Sequence, residues 1–155
     1  METFKVIIEI SQGTENNKYE YDEKSGEFKL DFVFKNLVWP FNYGFLPKTL
    51  GGDGDALDAI VLSSKPLSQA QEVECYPIGA LAMLDRGEED DKLIFVPAQD
   101  LLSQSLRDIS DVSLEQKKAW EELYAEIARQ KKKVIEIKSF LNKEQTINLI
   151  NKSLI

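Results

Sequence analysis

The 155-residue sequence predicts a mainly β domain whose helices gather toward the C-terminal end. Short runs rich in β-branched and aromatic residues recur between residues 4 and 96, the composition of strands. Turn residues separate them, as at Lys24-Ser25-Gly26. Beyond residue 113 the apolar residues fall at helical spacing, behind residues suited to helix N-caps.

Residues 4–10, Phe-Lys-Val-Ile-Ile-Glu-Ile, read as the first strand, and residues 11–17 as a polar loop. Lys18 and Glu20 then alternate with Tyr19 and Tyr21, which puts the charges on one face and the rings on the other. The turn at 24–26 leads into a strand over 27–34. Residues 37–50 hold several aromatic residues broken by Pro40, Gly44 and Pro47, which predicts an irregular aromatic wall rather than a helix or a central strand. Trp39, Phe41 and Phe45 are expected to fill the core, while Tyr43 is placed to offer its hydroxyl to a ligand.

Residues 57–62 read as a strand, and 72–84 as a longer one broken or bulged near Pro77-Ile78-Gly79. An acidic patch over 85–92 leads into a strand at 93–96. Ser113 and Gln116 carry a capping-box signature ahead of Trp120, Leu123, Tyr124 and Ile127 at helical spacing. Lys131-Lys132-Lys133 reads as a solvated basic turn before a strand over 134–138. Asn142 and Gln145 repeat the cap before a terminal helix carrying Ile147, Ile150 and Leu154.

Length points to a single domain over 1–155, able to bury about 70% of its unfolded surface without staples. The hydrophobic and charged fractions, 43% and 30%, are those of a globular chain. A net charge of −8 argues against nucleic acid as a partner, since phosphate-backbone binding needs a basic surface. Cys75 is the single cysteine, so no intramolecular disulfide forms, and its apolar neighbours predict a buried thiol. Histidine is absent, which removes imidazole zinc sites, Ser-His triads and histidine bases. No apolar run approaches the roughly 18 residues of a membrane span, and the N-terminus lacks a secretory pattern, so a cytoplasmic location with no membrane partner is expected.

The chemistry concentrates in Gly51-Gly52-Asp53-Gly54-Asp55-Ala56-Leu57-Asp58. In an extended segment Asp53 and Asp55 share a side, and Asp58 joins them only if the chain bends before Leu57. Like charges cluster at a cost unless a cation neutralises them, and oxygen-only ligands suit Mg²⁺ or Mn²⁺. The same composition also describes a solvated turn. An EF-hand does not fit, because Leu57 and Asp58 stand where that loop needs an oxygen ligand and then glycine.

Asp53-x-Asp55-x-x-Asp58 closely resembles the Asp-x-Asp-Pro-x-Asp signature of the soluble, Mg²⁺-dependent inorganic pyrophosphatases. Ile8-Glu9-Ile10, Lys18-x-Glu20, Pro40-x-Asn42-Tyr43-Gly44, Asp85-x4-Asp90-x-Lys92 and Tyr124 fall in that family's order along nearly the whole chain. The resemblance implies an OB-like five-stranded β-barrel flanked by two or three helices, assembled as a hexamer. It implies hydrolysis of pyrophosphate to two phosphates. Asp53, Asp58, Asp85 and Asp90 would be metal ligands, and Glu20 a ligand for metal arriving with substrate. Asp55 would be the general base beside a water held between two metals roughly 3.5–4 Å apart. Lys18, Tyr43, Lys92 and Tyr124 would contact phosphate or position charge, with Glu9 at the edge of the site.

The chain departs from the pattern at four places. Phe32 and Ala125 stand where the family has an arginine and a lysine for the leaving phosphate, Trp39 replaces a tyrosine, and Ala56 replaces the signature proline. Each lost charge-assisted hydrogen bond costs about 1.5–3 kcal/mol unless Arg86, Arg129 or Lys131 compensates. Two alternatives therefore stand beside pyrophosphate hydrolysis: the same chemistry on another small diphosphate, or a non-catalytic metal-binding paralogue.

Overall fold

A computed structural model describes residues 2–155. The first strand, β1 (Phe4–Ile10), is followed by the hairpin β2 (Glu15–Asp22) and β3 (Glu27–Val38), then β4 (Asn42–Leu46) and β5 (Leu57–Val61). The long β6 (Glu72–Asp85), the short β7 (Glu88–Glu89) and β8 (Lys92–Pro97) complete the β-rich part. Helix α1 (Leu114–Lys131), strand β9 (Ile135–Leu141) and helix α2 (Lys143–Ser153) follow two short 3₁₀ turns.

The main sheet runs β1-β4-β5-β8-β6, and β1 also pairs with β6, so five strands close into a ring. This is the OB-like barrel expected from the sequence. Closure leaves no free edge among those strands. β6 is long enough to serve four neighbours: its first residues pair with β1, its middle with β8, and its end with β9 and the short β7. The expected irregularity at Pro77-Ile78-Gly79 is a register shift against β8.

One expectation changes. Residues 37–50 contain a regular strand, β4, every residue of which is buried in the barrel wall. Pro40 and Pro47 lie outside its ends, and Gly44 is required in its middle. A Cβ at Gly44 would lie 1.9 Å from the carbonyl oxygen of Ile7 on β1. The glycine therefore admits the β1 backbone where that strand slips register between Ile8 and Ile10. Trp39, Phe41 and Phe45 are buried as expected, and so is the Cys75 thiol.

Alternation along the strands sorts the core into two clusters. Ala59, Val61, Leu93 and Phe95 join one, together with Ile150 of α2. Ile60, Ile94 and Val96 join the other, covered by Trp120, Tyr124 and Ile127 of α1. The Ser113 side chain accepts the single cap bond from the Gln116 amide, whereas Asn142 and Gln145 form the full reciprocal box. No helix among the described residues is long and apolar enough to cross a membrane.

Gly44→Ala is expected to lower stability by about 2–3 kcal/mol, read as a lower urea midpoint at unchanged slope. A midpoint equal to that of the parent chain would show that β1 and β4 separate freely.

Candidate active site

Strand pairing explains why a lysine sits among aspartates. β5 and β8 are parallel neighbours, and their register sets Asp58 beside Lys92. Both have the parity of Ile60 and Ile94, so their side chains emerge on the α1 side of the wall, just before its apolar part begins. Tyr43, opposite Ile60 on β4, projects into the same region. The Lys92 ammonium donates to Asp58 Oδ2 at 2.7 Å, to both oxygens of Asp90 at 3.1 and 3.0 Å, and to Tyr43 Oη at 2.9 Å. It also faces the rings of Tyr43 and Tyr124 at 5.6 and 5.8 Å.

Burial opposes charge on Lys92, yet Asp58, Tyr43 and Asp90 together raise its pKa well above the ordinary value. Asp90 is the carboxylate held ionised: burial pushes it up, but the Lys92 charge and hydrogen bond bring it below the usual range. Asp58 goes the other way, raised by burial and by Asp90 despite Lys92. Asp53 is likewise raised, first by burial.

Carboxylate oxygens of Asp53, Asp58 and Asp90 lie within 4.8 Å of one another. The chain turns and bends over residues 52–55, so Asp53 comes from the turn and Asp58 from β5. Three hard oxygen donors at that separation fit a divalent ion of the Mg²⁺ or Mn²⁺ type. Asp58 Oδ1 remains outside the Lys92 contacts.

These residues line a cavity of about 140 Å³ that also takes in Lys18, Asp85, Tyr124, Lys131 and Lys133. Asp85 is outside the three-aspartate cluster; it accepts from Lys133 Nζ at 2.6 Å and from Arg86 Nε at 3.1 Å. Burial raises its carboxyl, but the Lys133 bond and charge win and hold it low. Lys18 bonds Asp31 at 2.8 Å. Among the described residues the buried Tyr124 hydroxyl finds no hydrogen-bond partner at bonding distance. In both Tyr124 and Tyr43, burial pushes the phenol upward, so each remains a protonated donor.

Asp55 and Glu20 are set apart from this group. Asp55 is exposed; its amide donates to Asp53 Oδ1 at 3.1 Å, while its side chain lines a neighbouring hollow with Glu9, Tyr21 and Phe45. Glu20 is exposed, and its carboxyl is raised by partial burial against the opposing charge of Lys18. Glu9 is buried and accepts from the Tyr21 amide at 2.8 Å.

Sequence reasoning named Lys131 as a compensating cation but took the run over 131–133 for a solvated turn, and it missed Lys133. Lys131 and Lys133 are not a solvated turn: both are partly buried and face the cavity. The helical spacing Tyr124, Ile127, Lys131 was the available signal, since those positions share one face. Among the described residues, Arg129 pairs with Glu126 on the surface and Arg86 pairs with Asp85 alone. Phe32 and Ala125 do not line the cavity; Ala125 is exposed, and the Phe32 ring lies beneath Lys131.

A family profile described as inorganic pyrophosphatase matches residues 6–154. The chain is 35% identical over 139 residues to a soluble inorganic pyrophosphatase of Zea mays, covering 89% of this chain and 64% of that protein. An inorganic pyrophosphatase of Synechocystis is 34% identical over 146 residues, covering 94% and 86%. The crystal structure of an inorganic pyrophosphatase from Thermus thermophilus superposes with a TM-score of 0.90 at 33% identity, over 98% of this chain and 89% of that one. The chain belongs to the inorganic pyrophosphatase family. It spans a little under two thirds of the maize protein's length.

Lys92→Met is expected to cost about 3–5 kcal/mol of stability at neutral pH, because the buried carboxylates lose their counter-ion. Urea unfolding checks it, and the deficit should shrink as acid neutralises Asp58 and Asp90. Glu9 yields a pH-dependent outcome. Burial lifts its pKa from the ordinary 4.5 to about 7 despite the Tyr21 bond, so the native state favours the neutral acid. That preference is complete below pH 4.5 and is lost as pH rises through about 7. Glu9→Gln is therefore expected to gain stability over the parent between those limits, reaching on the order of 3 kcal/mol above pH 7. Unfolding at pH 4 and pH 8 tests the sign; a flat difference contradicts it.

Proposed function

We propose that this chain hydrolyses inorganic pyrophosphate to two phosphates, with Mg²⁺ as the metal and Mn²⁺ as a substitute. The observation that carries the reading is the convergence of Asp53, Asp58 and Asp90 within 4.8 Å in a chain of this family. Asp53, Asp58 and Asp90 would hold the metal. When bound, a divalent ion neutralises phosphoryl charge and lowers the pKa of the attacking water.

The chain's own residues do the rest. Asp55 would take a proton only by turning from the adjoining hollow toward the water, whose oxygen bonds to one phosphorus. The bridging P–O bond breaks, and the departing phosphate keeps the electron pair. Lys92 keeps Asp58 and Asp90 together and directs Tyr43; since Tyr43 Oη accepts from Lys92, its own proton is free for a phosphoryl oxygen. Tyr124 brings a second protonated phenol beside Tyr43. Lys18, held by Asp31, contributes positive charge to the same cavity.

Asp85 acts as a ligand only by giving up Lys133, and Glu20, being exposed, meets metal that arrives with substrate. A cytoplasmic hexamer built from one domain per chain belongs to the same proposal. Neither alternative activity is favoured, because the relatives share the pyrophosphatase description.

Phosphate release from pyrophosphate in Mg²⁺, run beside a panel of organic diphosphates, tests the reading. Pyrophosphate is expected to be the best substrate, chelation to abolish turnover, and Asp55→Asn to lower kcat about 10²–10⁴-fold. Equal rates for the parent and Asp55→Asn would remove Asp55 as the base.

A further inference from the structure

Three lysines face the cavity away from the Lys92 contacts, and they are not equivalent. Lys18 has Asp31 and Lys133 has Asp85, at 2.8 and 2.6 Å. Lys131, by contrast, has no carboxylate within ion-pair distance among the described residues, and its ammonium lies 5.3 Å from the centre of the Phe32 ring. It is partly buried at the last turn of α1, where helix carbonyls favour a cation. Phe32 is packed against Phe34 with centroids 4.6 Å apart, so the surface under the lysine is fixed.

A partly buried ammonium beside two other lysines is poorly compensated by protein alone. Burial and the charges of Lys133 and Lys18 disfavour its protonated form, and the more weakly felt charges of Asp31 and Asp85 do not make up the difference. An anion entering the cavity would relieve that arrangement, and the three N–H donors suit phosphoryl oxygens. The aspartates can neutralise phosphate only through a metal; Lys131 does so directly.

We propose that Lys131 binds the phosphoryl group that departs as product, with the Phe32 ring supporting its side chain. This rests on the pyrophosphate reading above and adds a residue to it. It also accounts for how a chain with Phe32 and Ala125 keeps positive charge at that phosphate.

The test compares the full-length parent with Lys131→Met, Lys131→Arg and the exposed neighbour Lys132→Met. Two readouts are taken in Mg²⁺: phosphate release from pyrophosphate, and calorimetric binding of the non-hydrolysable methylene diphosphonate. Lys131→Met should lower kcat/KM about 10–100-fold and weaken the analogue about tenfold, the size of one lost charge-assisted bond. Lys131→Arg should stay within about threefold of the parent, and Lys132→Met should match it. If Lys131→Met loses more than a few degrees of thermal midpoint, Lys131→Gln replaces it. Lys131→Met and Lys132→Met alike in both readouts would overturn the proposal. A parent chain that binds the analogue but releases no phosphate would strike the pyrophosphate reading instead, and the analogue titration alone would then decide Lys131.

Discussion

The ammonium of Lys92, bonded at once to Asp58, Asp90 and Tyr43, is the contact on which the site is built. Two carboxylates about 4 Å apart repel by roughly 4 kcal/mol at the effective dielectric near a protein surface. The parallel pairing of β5 and β8 supplies the remedy geometrically, because one register step sets Asp58 and Lys92 side by side. Barrel closure through β1 and β6 then holds that register against slippage. The polar cluster is thus the strand-end continuation of the wall that α1 covers with Trp120, Tyr124 and Ile127.

Around this centre the cavity combines groups of opposite demand. Asp53, Asp58 and Asp90 call for a cation, while Lys18, Lys131 and Lys133 call for an anion. Tyr43 and Tyr124 stand with them as protonated donors. Such a pairing suits a small anion accompanied by a cation, and it shows how a chain of net charge −8 offers positive charge locally. Positioning and neutralisation are most of what phosphoryl transfer asks of a protein.

Much of this was legible in the residues. The strands at 4–10 and 57–62, the bulge at Pro77-Ile78-Gly79 and both helix caps follow from local pattern, and the structure bears them out. The strand over Asn42–Leu46 was not legible, because the signals that argue against it are local while its cause is a neighbour. Gly44 is there for the backbone of Ile7, a contact across the sheet that no window of sequence displays. The run over 131–133 was read as a solvated turn for a related reason, although Lys131 was also named as a compensating cation. A run of lysines after a helix reads as solvated, and only the return of β9 along β6 carries Lys133 to Asp85.

By itself, then, the sequence determined the element types other than β4, the absence of histidine chemistry and disulfides, the acidic signature and the family resemblance. Those depend on residue identity and short-range spacing, which a linear chain carries in full. The tertiary structure alone decided which charges meet. It joined Asp53, Asp58 and Asp90, drew Asp85 toward Lys133, turned Asp55 to the adjoining hollow and left Lys131 on the Phe32 ring. The reason is physical: electrostatic partnership falls off over a few ångströms, and those distances are fixed by strand register and barrel closure between residues tens of positions apart.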